Sequence, residues 1–526
     1  MHPHLISKTS AQKSKQKMKT YTSHHLMPFA AVVFLTLSFL SGCKGKSSSK
    51  DQAAAKDTVY TDLFLPDTTY ASAEAIQYKI DQADSLDHPL TDLDDRYAGE
   101  DVCTFRKNMS RNGSFGGRVQ GTPTDIEVAW EFRTGEDYKR TWQNTQWGGG
   151  SGWTGQPLYL KKSNEIVAGS LCSHIYFINF DTGDSTRTSL YSHNAIKGTM
   201  CYDAEYNNLY VGQGLPFEQP FGIMVFDLDK HSESQARGID PKARRNWGAY
   251  DSSPVVVGGF LFWCGENGSV YKYQRSKGQL TEVSVLRYTV NGAAPGIENS
   301  ICAYRNYGFF GDNHGNIICI NLNTMKPVWY YSNHDDTDAS IVCQVENGIP
   351  YLYTGCEVDK QGETGICHFI KLNGLNGQLV WEKEIPCGRF HHGKSVDDGG
   401  LYDTPLLGSG DAKGMIFASI SRNGADGKGD ASGQFHAFDT ATGEERYMVQ
   451  LDRYAWASPV AFLNENNEMF ILQCDCGGKM YLIRATTGEV LVKKQVGMNF
   501  ESSPVVVGNA AVIGSRGNTI YKVVVK

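Results

Sequence analysis

Several familiar chemical signatures are missing from this 526-residue chain. It has no Gly-x-Ser-x-Gly nucleophile elbow, no Gly-rich phosphate loop and no His-Glu-x-x-His pair. These are the usual marks of serine hydrolases, phosphoryl-transfer enzymes and zinc proteases. The cysteines are too few for a disulfide-dense framework in a chain this long, and their spacings do not read as zinc pairs. Most sit inside apolar runs such as "ICAY", "NIICIN" and "ASIVCQ", where a small hydrophobe serves as well. An oxidising compartment would allow some of them to pair, in a pattern that spacing does not specify. Formal net charge is −7, and all five lysines of the first 43 residues stand without a compensating acid, so removing that segment leaves −12. An acidic chain without a basic cluster is a poor partner for nucleic acid.

What the chain has in abundance is glycine (56) and tyrosine plus phenylalanine (27 and 24), a composition for β-structure rich in tight turns. The N-terminus is an address. "LMPFAAVVFLTLSFLSGC" (26–43) is an apolar run behind a basic stretch, short for a membrane span and ending in small residues. Met18 is an alternative start. "LSGC" resembles the bacterial lipobox, which implies lipidation at Cys43, a membrane anchor, and a cell-envelope location. Lys44 in place of aspartate points to the outer membrane; the membrane face stays open. An uncleaved anchor helix is the alternative. The expected organisation is a signal segment (1–43), a polar and acidic tether and stalk with helical character at 71–85 (44–104), and a folded body (105–526).

That body repeats. "SSPVVVGGFLFWCGENGSVYKY" (252–273) and "SSPVVVGNAAVIGSRGNTIYKV" (502–523) align without a gap, each preceded by an acid, Asp251 or Glu501. Weaker copies open at 153, 196, 297, 337, 401 and 455. Each copy reads as a short apolar strand, a Gly-rich turn and further strands, up to four per unit. Eight such units at this period predict an all-β, eight-bladed propeller of antiparallel four-stranded blades. The eighth copy stops at Lys526 after three strands. "EVAWEFRTG" (127–135), with Trp130 where other copies carry Trp329 and Trp381, is expected to close it as the outer strand.

The pattern "SSPVVV…G…YK…TG…W" resembles the pyrroloquinoline-quinone (PQQ) dehydrogenase-like propeller repeat. "FRKNMSRNG" (105–113) resembles the lead-in of that family's lipoprotein members, of the outer-membrane barrel-assembly type. The enzymes of the family stack the quinone between a tryptophan and an adjacent Cys-Cys disulfide beside a calcium. This chain has no Cys-Cys; its nearest approach is Cys474 and Cys476, open to a strained disulfide, a metal foothold or neither. No cofactor is therefore expected, with PQQ and calcium as the alternative.

Propeller topology puts the blade-opening residues and the Gly-rich second turns on one face. Two places before each Ser/Thr/Asn-like opening position stand Thr154, Lys197, Asp251, Glu298, Asp338, Tyr402, Trp456 and Glu501, with Asp403 one place off and Trp153, Tyr250 and Phe500 as aromatic neighbours. Carboxylates converging on a channel mouth suit calcium, and aromatics beside them suit a cationic or sugar ligand. The plainer expectation, preferred here, is that these side chains pin neighbouring loops. A second candidate is "GRFHHGKSVDD", whose His391, His392, Asp397 and Asp398 could bind metal or act as acid and base. Insertions at 212–248, 355–366 and 422–433 are where recognition would concentrate. The last carries Asn423, Asp426 and Asp430 in a loop that lacks a closing glutamate.

The function expected from these features is a lipid-anchored binding or scaffold protein presenting its channel-mouth face to an envelope protein or small ligand. A PQQ- or calcium-dependent oxidoreductase and glycan recognition are the alternatives.

Overall fold

The middle strands of the blades are largely apolar and mostly buried, and this dictates how the blades must pack. Phe260–Gly265 and Asn316–Asn321 are buried at every position, whereas the outer strand Val490–Gln495 alternates between exposed and half-buried residues. A strand buried on both faces needs a neighbour on each side, so blades stack against blades. The computed structural model describes residues 65, 71–91, 93, 96–113, 115–136, 149–153, 155–392, 395–422 and 430–526. All belong to one compact unit, 57–526. The leader, Cys43, the first part of the tether, Thr154 and residues 423–429 lie outside the described residues.

Eight antiparallel sheets form the ring: blade 1 (158–191), blade 2 (201–237), blade 3 (255–290), blade 4 (302–332), blade 5 (342–388), blade 6 (406–451), blade 7 (460–495) and blade 8 (505–525). Blade 8 is completed by Ile126–Arg133 pairing along Thr519–Val525, as the sequence predicted. The apolar core divides into eight clusters, one per blade interface. One joins Phe309 and Trp329 of blade 4 to Leu352 and Ile370 of blade 5, and another joins Val512 and Ile520 of blade 8 to Ile166 of blade 1.

Two repeated motifs act as latches between blades. The outer-strand tryptophan reaches the "TG" turn of the next blade. Trp130 donates its indole N–H to Phe180 O (2.9 Å), Trp329 to Gly374 O (2.9 Å) and Trp381 to Thr440 O (3.0 Å). The turn glycine must be bare: at Gly377 (φ +71°) a Cβ would lie 2.6 Å from the Trp329 ring. Between blades 6 and 7 a tyrosine does the same work, Tyr447 donating to Ala485 O (2.7 Å).

The second latch explains the serines of "SSPVVV". The Gln156 N–H donates to Thr199 Oγ1 (2.7 Å), Thr199 N–H to Ser253 Oγ (3.0 Å), Ser253 N–H to Ser300 Oγ (2.9 Å) and Ser300 N–H to Ser340 Oγ (3.1 Å). Thr404 to Ser458 and Ser458 to Ser503 continue the relay at 3.0 Å each. Ser503 N–H meets Gly155 O (3.1 Å), which brings the relay back to blade 1. These groups are buried, so each bond is one the backbone cannot replace with water. Ser300→Ala strips the acceptor from Ser253 N–H and is expected to cost about 1–3 kcal/mol in urea unfolding, with the m-value unchanged.

The segment 71–104 departs from the expected stalk. Ala71–Ala75 is a single 3₁₀ turn, and Ile76–Gln82 is a strand paired in register with Ser284–Val290 as a fifth strand of blade 3. Ile76, Leu90 and Tyr97 are buried in the core between blades 3 and 4. The alternation of Ile76, Tyr78 and Ile80 is the strand signal here, and the alanines of "ASAEA" obscure it.

The lead-in "FRKNMSRNG" runs along the inner strands of the ring, in contact with the openings of blades 1, 3 and 4. Its backbone pairs with inner-strand residues of several blades: Ala303 N–H donates to Met109 O (2.7 Å) and Cys343 N–H to Ser110 O (3.0 Å). Tyr202 N–H donates to Cys103 O (2.8 Å) just upstream. Arg106 and Arg111 are fully buried within this plug.

Candidate functional site

The serine relay sets the register of the channel mouth. Because most of the opening Ser and Thr residues are pinned to the next blade, the residue two places earlier is thrown toward the axis. The structure brings Trp153, Asp251, Glu298, Asp338, Tyr402 and Trp456 around one cavity, with Ser300 and Ser340 in its wall. Lys197 lies against the same group: its ammonium pairs with Asp251, stands 4.0 Å from Glu298, and sits 4.1 Å over the Trp153 ring. Trp456 stacks on Tyr402 (5.0 Å, 30°) and meets Trp153 edge-on (5.4 Å, 73°). Trp153 holds a left-handed backbone (φ +57°), an uncommon conformation for a bulky side chain and one that clusters at functional sites.

Glu501 is placed differently. Its carboxylate takes Arg516 (3.0 Å) and Asn499 (2.8 Å), the pinning role that the plainer expectation assigned to the whole set. Tyr250 and Phe500 are buried core residues. Asp403 is buried below the mouth, accepting from Ser419 N–H; burial pushes it up to about 8.

Three further acids at the mouth lie outside the blade-opening register and were missed by it. Glu266 comes from the "CGENGS" second turn, Asp336 from the loop after blade 4, and Glu357 from the 355–366 insertion. The insertion strand Glu357–Val358 pairs with Gly399–Gly400, which turns Glu357 inward. Topology places the second turns on this face, so Glu266 was within reach of sequence reasoning. Glu357 was not, because an insertion has no repeat register.

The acids form two triads. Oxygens of Asp251, Glu266 and Glu298 lie within 4.8 Å of one another, and so do those of Asp336, Asp338 and Glu357. The first triad has an internal cation. Burial opposes the charge on Lys197, yet Asp251, Glu298 and Glu266 outweigh it and hold the ammonium above its ordinary range. Beside the second triad, Lys360 stands 3.9 Å from Asp336 and is half exposed. Burial, then the neighbouring carboxylates Glu298 and Asp336, drives Asp338 well above the usual carboxylate range, and burial with Asp338 and Asp336 does the same to Glu357. Asp336 is pushed up to about 7, mainly by burial. Glu357 Oε1, Asp336 Oδ1 and Asp251 Oδ1 are buried without a hydrogen-bond partner. Two oxygens bound to one calcium at 2.3–2.6 Å lie at most about 5 Å apart, so the second triad fits one such ion with its remaining positions filled by carbonyl or water oxygens.

A quinone does not fit. The space enclosed at the mouth is about 20 Å³, room for one or two water-sized bodies. The Trp456 face that a planar ring would need is covered by Tyr402. Cys474 and Cys476 are both free: Cys474 is buried in the core between blades 7 and 8, and the Cys476 thiol donates to Phe500 O (3.7 Å). None of the twelve described cysteines is paired.

The described members of the His391 loop do not gather into a site. Phe390–His392 and Ser395–Asp397 form a small hairpin. His391 pairs with Glu363 (2.6 Å), Asp397 with Arg422 (2.6 Å) and Asp398 with Arg389 (2.5 Å), so each faces its own ionic partner. The His392 side chain lies outside the described residues, as do Asn423 and Asp426; Asp430 turns back on Ser432 N–H (2.6 Å).

With the fold and mouth in view, comparison with solved structures is decisive for architecture. A europium-containing methanol dehydrogenase superposes with a TM-score of 0.57 at 13% identity, covering 82% of this chain and 99% of that one. The chain has the PQQ-like propeller fold. The quinohemoprotein alcohol dehydrogenase of Comamonas testosteroni gives 0.57 at 13% identity, covering 81% of this chain and 80% of that one. BamB from Moraxella catarrhalis gives 0.49 at 11% identity, covering 76% and 100%. No protein-family model and no curated protein sequence matches the chain.

Proposed function

We propose that this chain is a binding protein of the bacterial envelope, anchored through Cys43, whose channel mouth holds a hard dication of the calcium class between Asp336, Asp338 and Glu357. The loaded mouth would face a protein partner or envelope ligand. The observation that carries this reading is the second triad: three converging carboxylates, one buried and two half-buried, two of them with a buried partnerless oxygen, whose own ion pair among the described residues is to the half-exposed Lys360. Leaving such oxygens bare is costly, and a bound dication removes the cost.

The reading has a pH signature. Asp336 rises from an ordinary carboxylate value to about 7 in the fold, so below pH 4 it is protonated in both folded and unfolded chains. Between about 4 and 7 the unfolded chain releases the proton and the folded one keeps it, so stability falls as pH rises. The chelated full chain, purified in mild detergent, is expected to melt at a lower temperature at pH 8 than at pH 5. Calcium should raise the pH 8 melt and leave the pH 5 melt nearly unchanged. A calcium response that is equal at both pH values, or that survives in Glu357→Gln, would count against the site.

A further inference from the structure

Outside the mouth, the described residues hold one more cluster of metal-ligating side chains, and its chemistry is different. His334, His368 and Glu382 each offer one ligand atom, all within 4.8 Å of one another. We propose that they form a separate site for a first-row transition dication of the zinc class, at the rim of the interface between blades 4 and 5.

The cluster is assembled by the fold rather than by local sequence. His334 lies in the loop leaving the outer strand of blade 4, Pro327–Ser332. His368 and Glu382 belong to neighbouring strands of blade 5, Thr364–Asn373 and Leu379–Gly388. In their register Ile370 faces Glu382 and His368 faces Glu384, so His368 and Glu382 are diagonal neighbours on one side of the sheet. Ile370 on that side is packed against Phe309 and Trp329 of blade 4, so this side of blade 5 looks toward blade 4. The blade 4 exit loop then lays His334 over His368, ring on ring, at 4.0 Å and 29°. His334 has a left-handed backbone (φ +72°), so the loop bends sharply to put the imidazole there.

Distances suit a compact ion. Glu382 Oε1 is 2.6 Å from His368 Nδ1 and 3.8 Å from His334 Nε2. These bracket the edge of about 3.3 Å expected between ligands of a tetrahedral ion with bonds near 2.0–2.1 Å. Two imidazoles and one carboxylate favour zinc, nickel or copper over calcium or magnesium. The site is reachable, since the His334 side chain is 50% exposed, and it is anchored, since the His368 side chain is only 12% exposed. An ion here would tie the exit loop of one blade to the outer half of the next. A His–Glu pair without a metal role is the competing account.

The test uses the full, tag-free chain in mild detergent and Co²⁺ as a visible probe. One equivalent of Co²⁺ is expected to bring up a ligand-field band that Zn²⁺ erases, and Zn²⁺ is expected to raise the melting temperature. His334→Ala removes a half-exposed ligand and should abolish both effects while leaving the chelated melt unchanged. Glu382→Gln should weaken Co²⁺ binding at least about tenfold, the cost that losing even a supporting partner of a metal ligand carries. Asp338→Asn, in the mouth, should leave the Co²⁺ band intact. No band at millimolar Co²⁺, a band that persists in His334→Ala, or a band lost in Asp338→Asn would each overturn the proposal.

Discussion

Arg111→Met is expected to destabilise the propeller by about 3–5 kcal/mol, the range for removing one partner from a buried ionic or hydrogen-bonded network. Arg111 is wholly buried in the plug. Its guanidinium donates to Ile301 O (2.9 Å), Phe105 O (2.9 Å), Thr104 Oγ1 (2.9 Å) and Ser253 O (2.8 Å). These groups belong to the plug, the blade 3 opening and the blade 4 opening, so one side chain serves as the hub for three segments. Methionine fills comparable volume and donates nothing, which leaves the carbonyls bare inside the ring. The neighbouring Arg106 is also buried, but its guanidinium donates to a single carbonyl, Pro459 O at 2.7 Å, so Arg106→Met should cost visibly less. Urea unfolding of the two variants checks the order. A loss under about 1 kcal/mol at Arg111 would mean that the plug is a passenger, and equal losses at the two sites would mean that Arg111 is not its hub.

Lys197→Met is the second large effect, and its size depends on pH. Without a bound dication, the substitution takes the buried ammonium from Asp251, Glu266 and Glu298 and should cost about 3–5 kcal/mol at pH 8. At pH 5 the penalty shrinks, because burial and mutual repulsion already raise Glu266 and Glu298 and those acids take up protons. Calcium affinity moves the other way. Removing a fixed positive charge beside the second triad should tighten binding by on the order of 1–2 kcal/mol, about tenfold, for a screened repulsion across the mouth. Chelated melts at the two pH values and a calcium titration of the variant test both halves. A variant that melts like the parent at pH 8 would show that Lys197 does not neutralise the first triad.

Much of this is legible in the sequence, and the reasons are physical. The repeat implies the ring because each blade's inner strands must be buried on both faces, and that demand writes the same apolar words eight times. The closing strand can be found because Trp130 sits where Trp329 and Trp381 sit, and the latch to the next blade needs that residue. Counting two places back from the relay serines reaches Lys197, Asp251, Glu298, Asp338, Tyr402 and Trp456, since the relay fixes their direction. Glu357 and the His334 cluster are out of reach. Glu357 arrives on an insertion outside the repeat, and His334 meets His368 and Glu382 only because two blades pack together. Segment 76–82 reads as stalk rather than strand because one edge strand, added to blade 3, has no repeat partner to reveal it.

The central claim is that the buried acids at the mouth are a dication site, and a calorimetric calcium titration tests it most directly. The full chain would be titrated at pH 7 in two buffers of different ionisation enthalpy, so that proton release is read along with binding. The prediction is one calcium per chain, protons released on binding because Asp336 and its neighbours must ionise, and loss of both signals in Asp338→Asn. No calcium heat and no proton release up to millimolar calcium would contradict the account.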